Sequence, residues 1–449
     1  MYTIKDILNE EKCLKKIILK SLLIVKDKVD EAFIYIKKDY DTNTVIRNGS
    51  TEYIEFHDDV LFSVTVYSNH CKGSSSSTDL NIESIKNTIL TAIEISKYTS
   101  QDILSKLPDI NLNKYKVLDL DLFHPSNISL KESIKMSYLT EKYALNFDKR
   151  IINSEGGYFS SGNSIIAFGN TKGLLQTYKF SQHSLSVSVV AQDNILNEKE
   201  TGDDYSISRK INDLESPKSI GIKCAKKALI RLNSKKIVTQ RSSIILVSDV
   251  AASLFNHFAK SIFGYQVYTK STFLLNSLNK LIFPEWLSIF ENPHIKKGIA
   301  SFPFDDEGIL TIPRFIVKNG FLKTWLLDSY SARKLNLKNT GHCGGIYNWI
   351  FLQKNNISFK NLLKKMNTGL VITDLMGNGV NIVNGDYSRG ASGYFIENGI
   401  FKYAVKEITI SGNLCNMYRK IIAMSNDYDI RRNIQCGSIL ISKMIISGR

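Results

Sequence analysis

The stretch SIILVSDVAASLFNHFAKSIFG, Ser243–Gly264, decides how the C-terminal half of the chain is read. SIILV is a short apolar run of the kind that forms a buried strand. Asp249 stands where a helix N-cap would, and the apolar positions after it recur at helical spacing up to Gly264, a natural stop. A strand feeding an amphipathic helix is a common mount for a catalytic metal, and the usual helix carries two histidines at helical spacing with a glutamate between them. This helix has one histidine, His257, with Ser261 four residues on. Alone, such a histidine reads as a core or partly buried residue before it reads as a ligand.

Around that stretch the composition bounds the answer. A chain of 449 residues needs two or three structural units. Hydrophobic residues at 43% and charged residues at 22% fit a globular protein with an ample core. The apolar run IILKSLLIV (17–25) is split by Lys20 and followed by Lys26, so no stretch is read as crossing a bilayer. The opening mixes Asp6, Glu10 and Glu11 among its lysines and is not read as a secretory signal, so a cytoplasmic protein is expected. Cys13, Cys71, Cys224, Cys343, Cys415 and Cys436 form no CxxC pair, as expected of reduced thiols. The formal charge of +15 comes from lysine spread through every segment rather than from a basic arm, so neither a nucleic-acid nor a membrane partner is expected.

The organisation reads as α+β and multi-domain. Residues 1–100 form a first unit: a helix over about 4–26, then a hairpin about Asn48-Gly49. KGSSSSTDL (72–80) resembles a linker ending in helix caps at Ser77, Thr78 and Asp79, before an apolar stripe of Ile82, Ile85, Ile89 and Ile93. Residues 108–125 read as an extended connection. In the central unit, 120–233, Ser129 and Glu132 make a capping box, HSLSVSVV (183–190) alternates as a half-buried strand, and Ser216-Pro217 opens a helix. The third unit, 235–449, is β-rich, with hairpins predicted at Asn319-Gly320 and Asn398-Gly399 and a helix ending on Gly369.

Two loops could carry chemistry. GHCGG (341–345) sets His342 beside Cys343, either as a thiolate–imidazole pair or simply as a flexible loop. NGDYSRGASGYF (384–395) could hold a peptide backbone or carboxylate through Arg389, or be a tight turn held by an Asp386–Arg389 pair. There is no GxGxxG after a strand, no P-loop and no GxSxG elbow.

Ten stretches together are similar to the PmbA/TldD family, in its PmbA branch, also called TldE. They are SSSSTDL (74–80), DLDLFHP (119–125), INSEGGYF (152–159), FGNTKGLLQTY (168–178), YTKSTFLLNSLNK (268–280), KGIASFPFDDEG (297–308), DSYSARKLNLKNTGH (328–342), GLVITDLMGNGV (369–380), GDYSRGASGYFIENG (385–399) and NIQCGS (433–438). The resemblance implies a cytoplasmic metalloprotease family of three units. Its TldD branch carries a zinc-binding HExxxH helix and a later cysteine ligand, and its PmbA branch pairs with TldD in a protease for small, flexible peptides or proteins. Carried over, the two histidine positions fall on Asn256 and Ser261, the glutamate on His257 and the cysteine on Cys436. Only the thiol matches, so the expectation is a subunit that holds no metal, with zinc and general base supplied by a TldD-like partner. His257 and Cys436 stay candidates for catalysis. Asp386, Arg389 and His342 are candidates for gripping substrate, with strand addition as the mode. The other readings are a peptidase acting alone through His257, Cys436 and His342, and a basic nucleic-acid-associated regulator.

Overall fold

Alternation drives the first sheet. In Glu31–Arg47 (β1), Ala32, Ile34 and Ile36 are buried on one face, as a period of two requires. Asn48 and Gly49, with φ of 49° and 79°, turn β1 into Ser50–Ser68 (β2), with Arg47 opposite Ser50. In the computed structural model, which describes residues 4–112, 116–193, 197–353 and 356–448, the next element is a strand, Cys71–Ser77 (β3). The serine-rich run is therefore no linker. A Cβ at Gly73 would lie 2.0 Å from the Ala92 carbonyl oxygen, so glycine lets the next helix press against β3. That helix, Ile82–Tyr98, is capped by Asn81 rather than by Ser77, Thr78 or Asp79.

The central unit adds Ile151–Asn170 (β4), Leu175–Gln192 (β5) and Lys199–Ser208 (β6) to the same sheet, in the order β3-β2-β1-β4-β5-β6. β1 pairs with β4 from Phe33 opposite Asn170 to Ile46 opposite Gly157, so the first and second units share one continuous antiparallel sheet. Residues 113–115 of the expected extended connection lie outside the described residues. One face of the sheet is covered by four helices: Ile4–Val25 (α1), Ile82–Tyr98 (α2), Leu130–Leu145 (α3) and Pro217–Arg231 (α4). The Ser129–Glu132 capping box and the Ser216 cap form as the sequence predicts. On the opposite face Phe168 meets Phe304 of the third unit, with ring centroids 4.7 Å apart. Arg209 is sealed at this junction. It donates to the carbonyls of Ser181 (3.2 Å) and Ile299 (2.6 Å), and burial lowers its pKa to about 10.

The third unit opens with Gln240–Leu246 (β7) and the helices Ser248–Ser261 (α5) and Gly264–Tyr268 (α6). Leu287–Glu291 (β8), Arg314–Lys318 (β9), Phe321–Leu322 (β10), Ser329–Lys334 (α7) and Trp349–Gln353 (β11) follow. The chain ends with Phe359–Met366 (α8), Gly369–Met376 (β12), Asp386–Glu397 (β13), Ile400–Asn413 (β14), Leu414–Arg419 (α9), Ile421–Met424 (β15), Ile434–Gln435 (β16) and Ile439–Ser447 (β17). β7, β12, β13, β14 and β17 close on themselves, because β14 also pairs with β17. A second sheet runs β10-β9-β8-β11-β16. α5 lies between the two, with Phe255 and Phe258 fully buried against Phe351, Trp349 and Tyr418. Truncating either phenylalanine to alanine would cost about 3–5 kcal/mol.

Three helix boundaries in this unit differ from the sequence reading. Asp249 is not the cap of α5: Val247 is, without a side-chain cap bond, and Asp249 lies in the first turn. α5 stops at Ser261, and Gly264 instead opens α6, at a place where a Cβ would lie 2.1 Å from the Ser331 hydroxyl. α8 ends at Met366 with Asn367 at φ 62°, whereas Gly369 begins β12. The Asn319-Gly320 and Asn398-Gly399 hairpins form as predicted. Among the described residues no helix is long and apolar enough to cross a membrane.

Candidate functional site

α5 carries two of the positions where the resemblance would place a metal, and Cys436, just after β16, is the third. Asn256 is exposed. Ser261 is buried, and its hydroxyl is spent on the His257 carbonyl at 2.7 Å, within the helix. Cys436 is fully buried, and burial pushes its thiol far above the ordinary range. Its Sγ lies 3.6 Å from the carbonyl oxygen of Ser248, at the start of α5. Ser248 precedes Asn256 by eight residues, or about 12 Å of helix. A zinc centre needs three converging ligands with the thiol ionised. These residues do not fit one, and among the described residues no cluster of three or more His, Cys, Asp or Glu could hold a metal.

His257 sits on the half-buried side of α5, its ring 6.4 Å from that of Tyr387. Its Nε2 is buried with no hydrogen-bond partner among the described residues. Burial, helped by the charges of Lys260 and Arg389, lowers its pKa to about 4, so the ring is neutral at pH 7.

One helical turn toward the N-terminus of α5 a groove opens, enclosing about 630 Å³ between α4 and β6 of the central unit and α5, β12 and β13 of the third. Its chemistry is ionic. Lys223 pairs with Glu215 (2.5 Å), Lys227 with Asp204 (2.9 Å), Arg231 with Asp374 (2.7 Å), Arg431 with Asp429 (2.8 Å) and Arg432 with Asp249 (3.2 Å). Burial, then a hydrogen bond with Asp429, raises the Asp249 pKa. Asp429 is also buried, yet its bonds from Arg431 hold it low, so the two acids titrate as one unit. The same cations cap β6. Arg231 donates to the Thr201 carbonyl (2.7 Å), Lys227 to Asp203 (3.1 Å) and Arg431 to Tyr205 (2.7 Å). Alternate carbonyls on the free edge of the sheet are thereby occupied.

Arg389 enters this groove from β13. Its guanidinium donates to the Ser253 hydroxyl (3.1 Å) and to the Leu375 carbonyl (3.4 Å), while Nε is buried without an acceptor among the described residues. The predicted Asp386–Arg389 pair does not form. The residues are three apart on one strand and face opposite ways, and Asp386 instead accepts from the Asn384 amide at 2.7 Å. His342 lies elsewhere, sealed against Glu291 and hydrogen-bonded to Thr340, with no exposed side-chain surface. Burial, and then nearby acids, push the Cys343 thiol far above its ordinary range, so it is no thiolate nucleophile for His342 to activate. The structure thus brings together Arg389, Ser253 and, a turn further along α5, His257. Asp386 and His342 lie apart from them, and Cys436 is buried behind Ser248 at the start of α5. Arg231, Arg431 and Arg432 were not singled out from sequence, and Asp249 was read only as a helix cap. The run DIRR (429–432), acid and base packed together just before NIQCGS, was the available signal.

Comparison with known proteins agrees along the whole chain. Residues 32–96, 123–232 and 239–448 match the PmbA/TldA metallopeptidase domain 1, central domain and C-terminal domain, respectively. The metalloprotease PmbA homolog of Buchnera aphidicola subsp. Acyrthosiphon pisum is 48% identical over 100% of both chains. The metalloprotease PmbA of Escherichia coli O157:H7 is 45% identical, over 100% of this chain and 99% of that one. Among solved structures, TldE from Thermococcus kodakarensis is similar in fold, with a TM-score of 0.81 at 18% identity, covering 97% of this chain and 100% of that one. With three domain models matched in order and full-length relatives at nearly half identity, the chain belongs to the PmbA branch of the PmbA/TldD metallopeptidase family.

Proposed function

We propose that this chain is the non-zinc subunit of a two-chain cytoplasmic peptidase. It shapes the cleft and grips small, flexible peptides, while a TldD-like HExxxH-bearing partner supplies zinc, water and the general base. The observation that carries this reading is what stands at the family's metal positions: Asn256 is exposed, the Ser261 hydroxyl is bonded within the helix and Cys436 is a buried thiol, so α5 offers no pair of imidazoles for a zinc ion. The charged groove between the central and third units is the surface that would hold the peptide. Because the outward carbonyls of Thr201, Asp203 and Tyr205 are taken by cations, the grip rests on side chains rather than on strand addition at β6. Peptidase action by this chain alone through His257, Cys436 and His342 is disfavoured by the same geometry, since one thiol is buried and protonated and one imidazole is bound to Glu291. The net charge of +15 suits a less basic partner, whose encounter it would speed.

The test is to purify this chain and a TldD-like chain separately, mix them, and follow cleavage of an unstructured peptide. Activity confined to the mixture is expected. Equal activity of this chain by itself, or no gain on adding it to the partner, sinks the reading.

A further inference from the structure

We propose that Arg389 is a docking point for a carboxylate of the bound peptide, a proposal that rests on the reading of the groove as a peptide site. Six lysine or arginine side chains line the groove, and five of them are paired with an acid. Arg389 is the exception: among the described residues it makes no ion pair, only hydrogen bonds to a hydroxyl and a carbonyl. Like Arg231 it keeps a buried Nε with no acceptor among the described residues, but Arg231 has Asp374 and Arg389 has no acid. A guanidinium presents its donors as a planar fork that matches the two oxygens of a carboxylate. Ser253, which accepts from Arg389, has its own O–H to offer the same ligand, since no acceptor for it is found among the described residues. Half of the docking shell is therefore already built, on the rigid pair of β13 and α5.

The neighbours sharpen the selectivity. Asp249 is engaged by Arg432 and Asp374 by Arg231, so neither closes on Arg389. His257, neutral at pH 7, adds no competing cation beneath it. The other five cations are each paired with an acid, so Arg389 is the groove cation left without one among the described residues, and attraction for an anion is concentrated there. That point takes either the C-terminal carboxylate of a peptide or an aspartate or glutamate side chain.

Four N-terminally labelled ten-residue unstructured peptides separate these sources: free acid or amide at the C-terminus, each with one internal Glu or Gln. Their binding is read by fluorescence anisotropy on the full-length chain and on its mixture with a TldD-like chain. The expected result is that at least one carboxylate tightens binding about tenfold or more over the doubly neutral peptide. Arg389→Gln removes that difference and Arg389→Lys keeps part of it. The peptide series on the wild-type chain stands even if a variant folds poorly. Equal binding of all four peptides, or a carboxylate preference that survives in a folded Arg389→Gln chain, overturns the docking role and leaves the peptide groove standing. Binding of none of the four, alone or mixed, overturns the groove itself and this proposal with it.

Discussion

The Nε2 of His342 lies 2.8 Å from Oε2 of Glu291, and neither side chain meets solvent. The other carboxylate oxygen of Glu291 accepts from the Tyr347 amide (3.1 Å) and the Trp349 indole (3.0 Å), and the second ring nitrogen of His342 meets Thr340 (2.8 Å). This network ties β8, β11 and the GHCGG loop together and is fully satisfied, which is what burying a charge requires. Burial raises the carboxyl, yet the hydrogen bond and charge of His342 outweigh it and leave Glu291 below the ordinary glutamate value.

Removing one partner strands the other. Glu291→Ala is expected to cost about 3–5 kcal/mol, read as a drop in the urea or thermal unfolding midpoint. Because the folded pKa of Glu291 is depressed, its contribution is complete above about pH 4.5, the unfolded value, and is lost as pH falls through the folded one. A Glu291→Ala midpoint that tracks the parent within 0.5 kcal/mol across pH 3–7 would show that the network adds nothing.

His257 should be replaceable in the chemistry. His257→Gln is expected to leave cleavage by the mixed chains within a few-fold, whereas a thousandfold loss in turnover with folding intact would assign it a chemical role. Its pKa of about 4 lies below the unfolded histidine value, so the unfolded chain binds more protons between about pH 6.5 and 4. Stability from this residue is therefore complete above pH 6.5 and declines toward pH 4. The Gln variant should lose less Tm over that window, and parallel Tm–pH curves would contradict the burial argument.

Metal content gives a third check. The purified chain should carry well under one equivalent of zinc, because Asn256 and Ser261 offer no imidazole and Cys436 holds its proton. Stoichiometric zinc that disappears in Cys436→Ser would show the thiol working in a complete site.

Arg209 should act as a latch between the first sheet and the third unit. Arg209→Met leaves the carbonyls of Ser181 and Ile299 without their donor, at about 1–3 kcal/mol for each carbonyl left unsatisfied. Limited proteolysis near Gly298 should then accelerate at least severalfold. An unchanged cleavage pattern would mean that the aromatic contacts of Phe168, Tyr178 and Phe304 hold the junction unaided.

What the sequence discloses about this fold is what neighbours in the chain decide. Asn-Gly at 48–49, 319–320 and 398–399 fixes three turns because both residues must adopt positive φ, and Ser129 and Ser216 begin helices because they satisfy their own first turns. The serine run at 74–77 was misread because its strand character comes from β2 on one side and from the helix over Gly73, both supplied by the tertiary fold. Asp249 looked like a cap because aspartate so often is one, whereas its partner Arg432 lies 183 positions away. The groove could not be read at all: Asp204, Arg231, Arg389 and Arg432 meet only once the sheet and the closed strands are in place. Arg389 was picked out for its loop, and the acid expected to hold it faces the other way.

The shared sheet also sets a timetable for synthesis. β1 leaves the ribosome with β2 soon behind it, but its other edge, Phe33–Ile46, has to wait for Gly157–Asn170. More than a hundred residues separate the two, so at 5–20 residues per second that edge stays open for roughly 5–30 s. During that interval the nascent chain displays an unpaired strand bearing Phe33 and Tyr35, which are later covered by Phe168 and its neighbours. Newly made chains are therefore at their most vulnerable to pairing with one another before residue 170 appears, and the central segment acts as the cover that ends the exposure.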